Sequence, residues 1–379
     1  MGFDIIDVEI AGESHADKMI LKLSGIERGG EFSARGIKSM LNRRKSGAPW
    51  TTPRIEADEP SFSSGIEGIR GETSLEDGKT YRANGDVITA VVKNTNVKKA
   101  DYSNIAVVPR PSHADYVQYV KDGKIATGGG RFSGRLTAML CIAGGIAEDI
   151  LKKEGIEVVA YVSSIGEKKL CSYLGGADVS GLSKSQIERI KNSDFPLLDE
   201  SEREETVEYI KQIASSGDSV GGTVESVVLG VKAGSMGENL FSGLEGKIAY
   251  SVFGVPAVKG VEFGLGAGLA GLKGSEANDA FTLKDGEVKT ATNNSGGING
   301  GIANGMPITM RVTVRPTPSI SLPQKSVDLE TKKVCELSVH GRHDACIVPR
   351  AVPCVESAVA LALLDELMLK KVTNGIYND

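Results

Sequence analysis

Forty-seven glycines, spread without a fixed period through 379 residues, constrain this chain more than any other feature. Their share is about 12%, against roughly 7% in an ordinary protein. The missing three-residue period excludes a collagen, and 40% hydrophobic content argues against a disordered chain. Glycine reaches left-handed backbone without steric cost and lets other groups come close. The excess therefore implies either a loop-rich fold with many tight turns or backbone brought against a ligand. No low-complexity linker or fixed repeat divides the chain. It reads as one unit over residues 1–379, with 167–220 as a charged, helical, peripheral region.

Charge narrows the function. The net charge is −5, which offers nothing to nucleic acid or a membrane surface. The longest clean apolar run near the C-terminus, Ala358 to Leu364, is far too short to span a bilayer. Met1-Gly2-Phe3-Asp4 carries no signal-peptide features. Cys141, Cys171, Cys335, Cys346 and Cys354 are scattered and never form C-x-x-C, which suits a reducing cytoplasm. One stretch departs from the acidic background. Arg35, Lys38, Arg43, Arg44, Lys45 and Arg54 follow one another with no acidic residue between them. They form either a solvated helix face or a site for a compact polyanion, such as a phosphorylated or carboxylated small molecule.

Periodicity predicts an α+β chain. Strands are expected within 4–10 and 19–24, at 87–92, 156–165, 222–231 and 307–314. Ser33 caps a helix over about 34–45. The strongest helix begins near Ser133 and ends at Lys152, Lys153 and Gly155. Ser201-Glu202-Arg203-Glu204 reads as a capping box opening a helix to about Ala214. A final helix is expected from about Pro353 to Lys371.

Three of the four histidines sit in dense polar motifs: Gly12-Glu13-Ser14-His15, Arg110-Pro111-Ser112-His113-Ala114-Asp115 and Gly341-Arg342-His343-Asp344. Three such motifs in one chain point to acid–base chemistry. Gly128-Gly129-Gly130-Arg131 leads toward the strongest helix, where free N–H groups suit an anion. A second glycine-dense loop, Asn293 to Gly301, precedes a strand and then Arg315-Pro316-Thr317-Pro318-Ser319, a rigid polar segment able to lie along a flat cofactor. Gly266-Ala267-Gly268-Leu269-Ala270-Gly271 matches a dinucleotide fingerprint, but a loop follows it rather than a helix. His340, His343 and Cys346 resemble metal ligands, yet no C-x-x-C half completes a zinc site, so no metal is expected.

Together, G-E-S-H, L-N-R-R, R-P-S-H-A-D, G-G-G-R-x-S-x-R, N-x-x-G-G-I-x-G-G, R-P-T-P-S and G-R-H-D resemble the chorismate synthase family in order and spacing, over nearly the whole chain. The resemblance implies helices sandwiched between antiparallel four-stranded sheets, and a homotetramer. It implies a 1,4-anti elimination of phosphate from 5-enolpyruvylshikimate 3-phosphate, giving chorismate as the last step of the shikimate pathway. It implies a lyase that needs reduced FMN, with NADPH a candidate reductant. It assigns catalysis to His15, His113, Asp344 and Ser14. Substrate binding would fall to Arg43, Arg44, Arg131, Arg135 and Arg342. Flavin binding would fall to Arg131, Phe132, Ser133, Pro256, Ala257, Gly300, Arg315, Pro316, Thr317, Pro318, Ser319 and Arg342. The chain departs from the family pattern at Ala16, Phe132, Leu136 and Ala345.

Overall fold

The computed structural model describes residues 3–13, 16–48, 50–52, 57–94, 107–174, 181–339 and 343–377. Two antiparallel sheets enclose a layer of helices. The first sheet has four longer strands, in the order Asp7–Ala11, Lys18–Ser24, Ile88–Lys93 and Pro60–Ser64, with the two-residue Thr73–Ser74 on its edge. The second has Val258–Phe263, Ile308–Val314, Gly222–Leu229 and Glu157–Ile165, with Lys168–Lys169 on its edge. The expected four-stranded sheets are thus present, each extended by one short edge pairing.

The strands explain themselves by period. In Lys18–Ser24 the lysines face out while Met19, Leu21 and Leu23 are fully buried. Glu157–Ile165 is buried on both faces instead, because helices cover it from both sides. Its Val158, Ala160 and Val162 join the main core, whereas Val159 and Tyr161 pack with Ile187 and Ile190.

Eight helices are used below: α1 (Ala34–Arg44), α2 (Asp115–Asp122), α3 (Thr137–Lys153), α4 (Lys184–Asn192), α5 (Arg203–Ser215), α6 (Leu244–Phe253), α7 (Gly274–Ala277) and α8 (Val348–Tyr377). Ser33 caps α1, its side chain accepting from Gly36 N–H at 2.9 Å. Helices α1, α3 and α8 form the central layer. Val352 and the run Ala358–Leu364 are fully buried, as expected of a helix that is apolar all round. Two adjacent glycines let three helices meet. A Cβ on Gly144 would collide with Ser357 of α8, and one on Gly145 would lie 2.8 Å from Ile37 Cα of α1.

Three element boundaries differ from the sequence reading. Helix α8 starts at Val348, so Pro353 lies inside it and Pro349 takes the first-turn place that proline favours. Asp199, not Ser201, opens the turn before α5, its carboxylate accepting from Ser201 N–H at 2.9 Å. Ser133 caps a short 3-10 turn, Gly134–Leu136, from which α3 continues. The region 167–220 is helical on the outer face, with α4 and α5, yet its Phe195 and Leu197 reach the main core.

A cluster of four ionisable side chains lies inside the helix layer. Arg43 of α1 donates to Glu356 of α8 at 2.6 Å, and Lys191 of α4 pairs with Glu148 of α3 at 2.9 Å and with Glu356 at 3.2 Å. Burial, then the charge of Glu356, pushes the Glu148 carboxyl up to about 8. Glu356 is held below its ordinary value: burial opposes this, but Arg43 and Lys191 outweigh it.

Candidate active site

The C-terminal end of α1, the turns before α2 and α3, the 315–319 segment and the start of α8 converge on one cavity of about 940 Å³. That is near the upper end of the roughly 300–1,000 Å³ usual for ligand pockets.

On one wall, His113 is fixed by a small ion network. Its Nδ1 lies 2.6 Å from Asp115 Oδ1. Asp115 also accepts from Arg110 Nε at 2.7 Å, Arg110 NH2 at 2.8 Å and Arg110 N–H at 3.0 Å. Burial would raise the Asp115 carboxyl, but the bonds from Arg110 and His113 prevail and hold it well below the ordinary range. Arg110 NH2 also lies 3.1 Å from Nδ1, but the ionised carboxylate is closer and favours a proton on Nδ1, which leaves Nε2 as the working nitrogen. The Ser112 backbone is left-handed, φ 59°, and aims the ring. Gly129 passes directly beside it: a Cβ there would sit 3.4 Å from His113 Cε1. The left-handed backbone of Gly129, φ 88°, is what calls for glycine there, and the ring packs at ordinary contact distance.

The arginines form another part of the lining. Arg44 donates through Nε to Thr137 Oγ1 and through NH1 to Asp58 Oδ2, both at 2.8 Å. Arg135 donates to Asp58 Oδ1. Arg131 is more exposed, pairs with Asp122 at 2.9 Å and lies 5.1 Å above the Phe132 ring.

A third side joins motifs far apart in sequence. Arg315 NH1 donates to Ser112 O at 2.7 Å, and Arg110 NH1 donates to Ser319 Oγ at 3.0 Å. Arg315 N–H donates to Ala257 O at 3.0 Å, and Ala257 is itself left-handed at φ 74°. Thr317 Oγ1 donates to Asp344 O at 2.8 Å. The Asp344 carboxylate accepts from Thr52 N–H at 2.8 Å and from Arg350 NH1. Arg350 Nε reaches back to Arg44 O at 2.9 Å. Two buried polar atoms on the lining residues, Thr52 Oγ1 and His343 Nε2, have no hydrogen-bond partner among the described residues. Burial, then nearby Arg110, lowers the His343 imidazole below its ordinary value, so it is neutral near pH 7.

Of the residues expected from sequence, the cavity gathers His113, Asp344, Arg44, Arg131, Arg135, Phe132, Ser133, Pro256, Ala257, Arg315, Thr317, Pro318 and Ser319. Ser14, His15 and Arg342 lie outside the described residues. Arg43, Pro316 and Gly300 do not line the cavity. Neighbouring positions on a helix point about 100° apart, so Arg44 faces the cavity while Arg43 turns inward to Glu356. The Asn293–Gly301 loop was expected to approach a ligand. Its glycines serve the chain's own backbone instead: a Cβ on Gly297 or Gly301 would strike Pro307 O or Glu238 O. Gly300 is exposed with open space beside it. Sequence reasoning missed Asp58, Thr52 and Arg350. Asp58 was findable as an acidic residue soon after the basic stretch ends at Arg54.

An open cavity lined by a fixed histidine, a carboxylate and two arginines that share one carboxylate marks an enzyme acting on a small anionic molecule. Comparison with known proteins says which kind. The family model described as chorismate synthase matches residues 6–368. The chain is 43% identical over 385 aligned positions to the chorismate synthase of Lancefieldella parvula, covering 99% of this chain and 98% of the relative. It is 41% identical to that of Thermococcus kodakarensis, covering 98% of each. A crystal structure of chorismate synthase superposes with a TM-score of 0.72 at 25% identity, over 97% of this chain and 93% of the other. The chain belongs to the chorismate synthase family.

Proposed function

We propose that the cavity binds reduced FMN together with 5-enolpyruvylshikimate 3-phosphate and eliminates phosphate from it to give chorismate, a carbon–oxygen lyase reaction. The observation that carries this reading is the meeting of His113, Asp344 and the Arg44–Arg135 pair around one cavity large enough for two ligands.

The residues present fit a flavin. Phe132, Pro256, Ala257 and the 315–319 segment form an apolar and backbone-rich side. The unpartnered Thr52 Oγ1 and His343 Nε2 await a polar ligand. When bound, reduced FMN supplies the electron density that an elimination without net redox change requires. Arg131, Phe132, Ser133, Pro256, Ala257, Arg315 and Thr317–Ser319 would hold it, with Arg342 completing the set. His113, its Nδ1 proton committed to Asp115, acts at Nε2, where as the imidazolium it donates to developing negative charge. Arg44 and Arg135 bind oxyanions of the substrate as fixed positive charges, Arg44 being held through Nε by Thr137, through NH1 by Asp58 and through NH2 by the Gly134 and Arg135 carbonyls at 3.2 and 3.3 Å. Asp344, its carboxylate set by Thr52 and Arg350, accepts the proton that leaves, with Ser14 as its relay. His15 protonates the departing phosphate and so lowers the cost of its charge.

The assembly belongs to the same proposal. Phe241 is fully exposed, and Phe281, Leu283 and Val288 share one exposed face of a hairpin (Phe281–Lys284 with Glu287–Thr290). Such surfaces favour burial between copies, in keeping with a homotetramer. All five cysteines are free thiols, which supports a cytoplasmic setting. NADPH is the proposed physiological reductant.

The test is substitution. His113→Ala and His15→Ala each lower turnover by about 10²-fold or more, with circular dichroism unchanged. Near-normal rates in both variants would remove these histidines from the chemistry.

A further inference from the structure

We propose that Asp58 sets the spacing and direction of Arg44 and Arg135, and thereby builds the oxyanion subsite of the cavity. The inference rests on the reading of the cavity given above. Asp58 does not line the cavity, and its side chain is fully buried behind it. Its two oxygens go to different arginines: Oδ2 takes NH1 of Arg44 at 2.8 Å, and Oδ1 takes NH1 of Arg135. The arginines come from separate elements, the last turn of α1 and the turn before α3, and both line the cavity.

Two guanidinium groups close together in a poorly screened interior repel each other. A single carboxylate wedged between them converts that repulsion into two charge-assisted contacts. Both guanidinium groups also line the cavity, where an anion can meet them. Asp58 thus does more than neutralise: it fixes where the two forks stand before any ligand arrives, the preorganisation that oxyanion recognition needs. The local backbone suits the task. Asp58 is left-handed at φ 47°, a conformation that Asp and Asn tolerate better than most residues. Asp58→Asn therefore changes the charge while keeping both the shape and the backbone preference.

The alternative is a carboxylate that only dampens positive charge, and it makes the opposite prediction. Removing such a group would strengthen anion binding. The experiment measures binding of inorganic phosphate in one arm and malonate in the other, by calorimetry on the intact protein, alongside turnover. With Asp58→Asn, phosphate or malonate affinity falls about tenfold, the loss of roughly one charge-assisted contact, and kcat falls with it. The arm that weakens names the group of the substrate that the subsite takes. Unchanged or tighter binding in both arms overturns the proposal. Asp58→Glu guards against misfolding. It keeps the charge but displaces it by one methylene, so affinity falls while circular dichroism stays native. Wild-type affinity in Asp58→Glu also overturns the proposal. Wild-type protein that turns nothing over would instead sink the reading of the cavity, whatever Asp58 does.

Discussion

His113, the proposed catalytic histidine, shows how much of such a group lies in its surroundings. Its ring is held by Asp115, aimed by the left-handed Ser112 and packed beside Gly129. Asp115→Asn keeps the volume but removes the charge that fixes the Nδ1 proton. Turnover is expected to fall about tenfold or more, with substrate KM little changed. An unchanged kcat would mean that Asp115 only ties the chain at Arg110. At this scale the sequence was informative where chemistry sits in short motifs. R-P-S-H-A-D holds His113, Asp115 and Arg110 within six residues, so their meeting is local. Asp58 and Arg350 act on partners distant in the chain, Arg135 and Arg44, and no spacing rule reaches that far. Arg43 and Arg44 read alike in sequence, and only the helix phase separates an ion pair with Glu356 inside the helix layer from one with Asp58 at the cavity lining.

The helices carry a second kind of polar chemistry, unrelated to the cavity. Glu148 of α3 is pushed by burial and by Glu356 from its ordinary 4.5 to about 8. A raised carboxyl means the folded chain keeps a proton that the unfolded chain has lost. Its contribution to stability is therefore fully present below about pH 4.5 and is lost as pH rises through about 8. Glu148→Gln stays uncharged at every pH and removes that part of the slope. The difference in Tm between about pH 5 and about pH 9 should be smaller in the variant than in wild type. An equal difference would place the proton elsewhere. Amphipathic periodicity revealed α1 well, because one stripe of it faces the core; in α3 an apolar period showed although Ala138 to Ala147 are buried on every side. It failed at the start of α8, where apolar residues surround the helix and a proline sits inside it. A stripe rule has no stripe to follow there.

Among the described residues the glycine excess serves mainly left-handed turns, Gly68, Gly71 and Gly78 among them, and a few positions where the chain comes close. Gly144 and Gly145 let the helix layer close, Gly129 lies against a cavity histidine, and Gly297 and Gly301 press backbone on backbone. Composition revealed the excess but not its division, since a glycine beside a ligand and one beside a carbonyl look identical in sequence. The two sheets and the helix layer were legible from strand period and family resemblance together. What the resemblance could not supply is how distant motifs share one cavity, which the Arg315–Ser112 and Arg110–Ser319 bonds now show. The central claim is that this cavity eliminates phosphate with the help of a reduced flavin. The direct measurement is phosphate release from 5-enolpyruvylshikimate 3-phosphate under strict anaerobiosis, with FMN reduced chemically and, separately, with NADPH. Stoichiometric phosphate and chorismate are expected with reduced flavin, and neither with oxidised flavin. No product with fully reduced flavin would contradict the claim.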